Sequence, residues 1–442
     1  MDVEIVSVEV IKPSQPTPTK LKTHQFSIID QHIPHAYLPV PFFYVSLLHD
    51  PSQTLTLLKS SLSEALILFY PLAGRIKDEY HIDCSDNGVK FVHARVRRHS
   101  LSQALCPPRL DQMSRLFPTE QTVGQELLGV QVSFFECGGI AIVVYLSHKI
   151  ADARGLCTFA LGWASITKCG SASVLRPRFD LASVFPPIEV IPSLSFGELT
   201  EDPSTDHDKS VIKVFRFEAS KIAELKAKAK ANANDKDPSR MMAVTAFLWS
   251  IFAAMGRRGH NGNNHPRQCI LSVPVNLRGR VPGLHEHTMG NAVVSTPLTV
   301  PMAPPIDLTE MPQLVKAIQD LVRRVDEGAL VKRRDGGEVL KMMEAYLECY
   351  NKASASEGEL GLYDVTSWLR FPFYEADFGW GKPAWVGVRN GSFNNVVTYF
   401  DTKSGDEIDA FITMSKEDMA QFESMPELLE FATPLHNALD SS

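Results

Sequence analysis

At 442 residues, with 44% hydrophobic and 21% charged residues, the chain is globular in composition and too long for one ordinary core. A formal net charge of -7 argues against nucleic acid as the main partner and gives no reason to expect an anionic membrane surface. Its cysteines (Cys84, Cys106, Cys137, Cys157, Cys169, Cys269 and Cys349) are scattered without a CxxC pair, which predicts reduced thiols rather than a disulfide framework or zinc knuckle.

Glu4 to Lys12 alternates apolar and polar residues as a half-exposed strand would, and Pro13, Pro16 and Pro18 then enforce an extended segment. Leu58, Leu62, Ala65, Leu66 and Phe69 recur at helical spacing, and Tyr70-Pro71 ends that helix. Ile82 to Val92 reads as a hairpin turning at Asp86-Asn-Gly88. Ile140 to Leu146 is short, apolar and β-branched, hence a buried strand, with a helix expected from Leu156 to Ile166. Pro187 to Ser210 is rich in Pro, Ser and Asp without any period, which predicts a linker.

Beyond it come a strand at Val211–Phe217 and a helix at Lys221–Ala231 with Ser220 as its cap. A buried helix at Met242–Met255, a polar loop at Gly256–Pro266 and a core strand at Ile270–Val275 follow. Pro312 opens an amphipathic helix with Leu314, Ile318, Leu321 and Val325 on one face. Val396–Phe400 and Ile408–Met414 flank a turn, and Ser415 caps a last helix. Strands and helices interleave in both halves, so the fold class is α/β with two domains: 1–190, a linker at 191–210, and 211–442.

The start Met1-Asp-Val-Glu has no basic stretch ahead of an apolar core, so neither a signal peptide nor a transit peptide is expected. No apolar run approaches the roughly 20 residues of a membrane span, and a cytoplasmic monomer with no membrane or nucleic-acid partner is the expectation.

His148 leaves the end of the apolar strand, and the small, polar Ala151-Asp-Ala-Arg-Gly155 follows it. A histidine on a rigid element that opens toward a cavity suits general-base chemistry. Asp152, four residues on, could orient it if the segment were helical. The turn-forming neighbours favour a structural aspartate. Downstream, Asp377-Phe-Gly-Trp-Gly381 places two glycines around a tryptophan, which implies a tight backbone path.

The pair His148-x-x-x-Asp152 and Asp377-Phe-Gly-Trp-Gly381, in that order, resembles the HxxxD and DFGWG signatures of the plant BAHD acyltransferases. Tyr70-Pro-Leu-Ala-Gly-Arg75, Pro274-Val-Asn-Leu-Arg278 and Gly290-Asn291 are similar to further stretches of that family, so the resemblance spans nearly the whole chain. Ala153 stands where many members carry glycine, as in alkaloid- and terpenoid-type branches.

The resemblance implies two chloramphenicol-acetyltransferase-like domains with mixed sheets and a solvent channel between them. It implies acyl transfer, acetyl by default, from acyl-CoA to a hydroxyl of a plant specialised metabolite, directly in a ternary complex. His148 would be the base. Thr366 and Trp368 would make contacts at the reacting site. Asp152 would pair with Arg278 to hold the loop. Asp377, Gly379, Trp380 and Gly381 would be structural, on the CoA side. Ser239 and Arg240 would meet the CoA pantetheine and phosphates. Acyl-CoA is then a co-substrate, with no permanently bound cofactor.

N-acylation of an amine or polyamine and a silent binding partner remain as alternatives; the intact His148, Thr366 and Arg278 favour the enzyme. His285-Glu-His287 lacks a third ligand nearby, so no metal site is expected, and Lys332-Arg-Arg-Asp335 reads as a solvated helix end.

Overall fold

A computed structural model describes residues 1–47, 50–105, 108, 110–117, 125–170, 176–189, 210–230, 237–255, 268–300, 308–328, 330–331, 336–355, 360–389 and 394–435. The linker at 191–210 is almost wholly outside them, as are the 256–266 loop and the basic run 332–335. No helix among the described residues is long and apolar enough to cross a membrane.

The chain divides into two compact units. The first comprises Met1–Thr200 together with Gly283–Ala292 and Phe371–Asn390; the second holds Glu201–Pro282, Val293–Arg370 and Gly391–Ser442. A single cut near 190–210 would assign both short stretches to the second domain. Their contacts instead place them, including the whole Asp377–Gly381 motif, in the first.

The strands, in chain order, are β1 (Asp2–Ile11), β2 (Thr23–Gln25), β3 (Tyr37–Tyr44), β4 (Arg75–Ile76), β5 (His81–Asp83), β6 (Val89–Arg97), β7 (Leu128–Phe135) and β8 (Ile140–Ser147). Then come β9 (Ser210–Phe217), β10 (Gln268–Asn276), β11 (Val293–Val300), β12 (Leu360–Ser367), β13 (Trp385–Val386), β14 (Val396–Asp401), β15 (Ile408–Ser415) and β16 (Thr433–Pro434).

The first unit is built on a mixed sheet in the order β1-β6-β7-β8-β3-β13, with β2-β5-β4 as a small second sheet. β8 lies between β7 and β3, and all eight of its residues are buried, as its unbroken apolar run predicts. The helices Pro51–Leu68 and Ala153–Cys169 supply much of the core, joined where Phe69 meets Phe159 edge to face at 5.2 Å. Ser61 answers the polar needs of that seam, accepting from Trp163 Nε1 at 3.1 Å and Thr167 Oγ1 at 2.8 Å.

The second unit carries the sheet β11-β10-β12-β14-β15-β9-β16, with parallel pairs β10–β12 and β12–β14. The helices Arg240–Met255 and Met311–Glu327 bury an apolar cluster against one of its faces. Leu314, Ile318, Leu321 and Val325 are the buried stripe of the second helix, as their spacing predicts. β14 and β15 form the expected antiparallel pair, closing at Asp401 and Ile408.

Three local expectations change. β5 and β6 do not pair; β5 joins β2 and β4, while β6 joins β1 and β7. Asp86, at φ 60°, instead ties down the opening segment by accepting from Thr17 N (3.0 Å) and Lys22 Nζ (2.7 Å). The helix Ala219–Lys228 begins after Glu218, two residues earlier than a Ser220 cap requires. β1 is an edge strand whose Ile5, Val6, Val8 and Val10 are all exposed, because a register shift between Ile5 and Ser7 breaks the alternation.

Candidate active site

β8 ends at Ser147, whose N–H donates to Leu127 O, and the chain turns at His148 before the helix Ala153–Cys169. The His148 backbone N–H donates to Ala36 O at 2.7 Å, so the residue is anchored next to β3 by its main chain. The ring is partly exposed.

The side chain is fixed from the Gly283–Ala292 stretch. His148 Nδ1 lies 2.9 Å from Asn291 Oδ1, and Asn291 Nδ2 donates to His148 O (2.8 Å) and to Asp30 Oδ1 (2.9 Å). Those two acceptors settle which end of the amide is nitrogen. The oxygen therefore faces the imidazole, Nδ1–H is the donor, and Nε2 keeps its lone pair. Asn291 is fully buried and Asp30 is 2% exposed.

Asp30 is itself saturated. Oδ1 accepts from Asn291 N at 2.8 Å as well as from Nδ2; Oδ2 accepts from Ser27 N (3.0 Å) and Ser27 Oγ (2.7 Å). Ser27 and Asp30 form a capping box on the short helix Ile28–His32, which is why a serine three residues before the carboxylate stands here. The Lys149 ammonium, donating to Gln31 O and Ile33 O, is a nearby cation; burial pulls its pKa down and the charge of Asp30 opposes that.

Asp152 is the N-cap of the following helix, and its carboxylate accepts from Gly155 N at 2.9 Å. Its backbone N–H donates to Gly290 O at 3.3 Å, joining the loop to the same stretch that carries Asn291. The carboxylate linked to His148 is thus Asp30, through one intervening amide. Sequence reasoning missed both partners. Asn291 stood in the sequence only as part of Gly290-Asn291; the Ser27-x-x-Asp30 spacing is the cap signal that could have pointed to Asp30.

The Asp377–Gly381 motif closes on itself. Asp377 Oδ1 accepts from Gly379 N (2.8 Å) and Gly381 N (2.9 Å), with both glycines at positive φ, 109° and 103°. Lys168 Nζ, at the far end of the helix that Asp152 caps, donates to Asp377 Oδ2 at 2.6 Å. Burial raises the carboxyl of Asp377, but Lys168 and the two N–H groups outweigh it and hold its pKa below the ordinary value. Phe378 stacks on Trp380 and meets Trp163 edge to face at 4.9 Å, so the motif packs on the first unit's core.

The other site candidates lie in the second unit. Thr366 is on β12 opposite Thr398 of β14. Trp368 follows the strand, buried, with its N–H on Tyr399 O and its ring 4.8 Å from Phe400. Arg278 is buried, and its backbone N–H donates to Asn276 Oδ1. Ser239 Oγ accepts from Met242 N in the first turn of the helix Arg240–Met255. Arg240 donates to Asp401 Oδ1 (2.7 Å) and Gly405 O (2.8 Å), which uses two of its five N–H donors. Among the described residues no group of His, Cys, Asp or Glu could hold a metal ion.

A family model described as "Transferase family" matches residues 1–429. Vinorine synthase of Rauvolfia serpentina is 36% identical over 430 residues, covering 94% of this chain and 95% of the relative. A limonoid 21-O-acetyltransferase of Melia azedarach is 33% identical, covering 98% and 99%. The crystal structure of vinorine synthase matches with a TM-score of 0.79 at 33% identity, over 97% of this chain and 98% of that one.

Proposed function

The chain belongs to the BAHD acyltransferases of this Transferase family, and from that membership we propose that it moves an acetyl group from acetyl-CoA to a hydroxyl of a plant specialised metabolite. The observation that carries the reading is the His148–Asn291 bond, which leaves Nε2 as the free base. A neutral hydroxyl is a poor nucleophile. His148 Nε2 takes its proton as the oxygen attacks the thioester carbonyl, an assistance worth about 10²–10⁴-fold. The tetrahedral intermediate then expels the CoA thiolate, which recovers that proton from the imidazolium. Transfer is direct, with no acyl-enzyme, in a cytoplasmic monomer.

Thr366 and Trp368 serve the developing oxyanion in this reading, where one donor is typically worth about 10²–10³-fold. Asp152 and Arg278 hold the loop, Asp377 to Gly381 shape the CoA side, and Ser239 with the unused donors of Arg240 meets the CoA tail. The test is mass spectrometry with acetyl-, malonyl-, benzoyl- and coumaroyl-CoA against pooled plant alcohols and amines. An acetate ester whose formation needs His148 supports the reading. Amides only, or acyl-CoA binding without product, would sink it.

A further inference from the structure

β12 divides two chemistries. Tyr363 and Val365 enter the apolar cluster beneath the sheet, so Asp364 and Thr366 take the opposite face. Asp364 is partly exposed. The Tyr346 phenol, from the helix Gly336–Ala355, donates to Asp364 Oδ1 and Oδ2 at 3.1 Å each. Ser272 of β10, in register with Asp364, adds a second hydroxyl. Among the described residues none of the side chains bonded to this carboxyl is basic. Burial pushes its pKa up, with the two hydroxyls acting against that, and burial also raises the phenol of Tyr346.

A partly buried carboxylate is ordinarily stabilised by a cation beside it. Here it has hydroxyls, and it stands two residues, roughly 7 Å, along the same strand face from Thr366. The three hydrogen bonds it accepts leave one of the roughly four acceptor sites of a carboxylate open on that face. We propose that Asp364 selects the acceptor, pairing with the ammonium of a molecule that carries a basic nitrogen besides the hydroxyl to be acylated. This rests on the acyl-transfer reading with Thr366 at the reacting end. It separates two acceptor classes, amine-bearing polycyclic alcohols and neutral ones such as limonoids.

The experiment compares matched acceptors, each amine-bearing alcohol beside its isostere with carbon in place of nitrogen, using acetyl-CoA and product quantitation by mass spectrometry. Wild-type protein is expected to favour the amines by at least about tenfold in kcat/KM, since charge-assisted hydrogen bonds exceed neutral ones by that order. Asp364→Asn is expected to erase the preference through KM, leaving kcat and the neutral acceptors within about threefold. Tyr346→Phe, which keeps the acid, should retain the preference. Equal turnover of both members of each pair by wild type overturns the proposal, a result that needs no variant to fold. So does an Asp364→Asn protein that loses both acceptor classes alike, which would mark a structural acid. Esters formed without discrimination would defeat the proposal alone; no ester from any acceptor would defeat the acyl-transfer reading with it.

Discussion

Asp30 and Asp377 are two carboxylates of the first unit, each ringed by N–H donors, and they end in different places. Asp377 is a fifth exposed at its side chain, spans two glycine N–H groups and finishes on a lysine. Asp30 is almost wholly buried, receives four donors from Ser27 and Asn291, and its chain of bonds finishes on an imidazole. The first arrangement is closed electrostatically and can only hold a loop. The second passes its constraint to the imidazole of His148, the base of the proposed reaction. In the proposed reaction the conspicuous motif is then structural, and the quiet pair far apart in sequence orders the base.

The largest effect expected from perturbing this contrast is at the imidazole itself. His148→Ala should lower turnover by about 10²–10⁴-fold with acyl-CoA affinity within about twofold, read by product formation and calorimetry. A near-normal rate would remove His148 from the chemistry. Next, Asp30→Ala strands four donors and should cost about 3–5 kcal/mol in a urea titration. Asp377→Ala frees two backbone N–H groups near solvent and should cost roughly 1–2 kcal/mol. If the order were reversed, the closed loop rather than the buried network would be the keystone of the unit.

His24 and Asp377 respond to acid over different windows. Burial brings His24, on β2, down to about 4 from 6.5, against the pull of Asp30. Its folded value lies below its unfolded one, so the unfolded state binds more protons between those limits. Stability is full above pH 6.5 and declines as pH falls toward 4, by up to about 3 kcal/mol. Asp377 is depressed from 3.8, so its share is present above that value and is lost only as pH falls further. Between pH 6.5 and about 4 wild type should lose up to about 3 kcal/mol more than His24→Phe in urea titrations; parallel curves across that window would contradict the assignment. The smallest effect is Asn291→Ala, expected to slow kcat by about fivefold. Three side-chain hydrogen bonds are lost, to the His148 ring, His148 O and Asp30 Oδ1, but only the first holds the imidazole, and the His148 N–H stays on Ala36 O.

Much of this fold is written locally. The apolar run of β8, the hairpin around Asp401 to Gly405 and the stripe after Pro312 depend on neighbours within a few residues, and all stand where the pattern puts them. The Asp86 turn misleads because a turn signal does not name the partner strand; β6 had a better one in β1. His148 was legible as a candidate base, but the groups that hold it were not. Asn291 is 143 residues from His148, and Asp30 is 261 from Asn291, a pairing that no periodicity encodes. Asp152 drew attention by its spacing and turned out to cap a helix, the ordinary work of an aspartate before a helical run.

The return of Gly283–Ala292 and Phe371–Asn390 to the first unit sets a schedule for the nascent chain. The first 200 residues leave the ribosome with His148 already encoded but without Asn291, and with β3 still lacking its edge partner β13. Domains that finish early during synthesis normally do so as contiguous stretches. This unit must wait for nearly nine-tenths of the chain, so a fragment ending at residue 200 should emerge with a loose histidine and an open sheet edge.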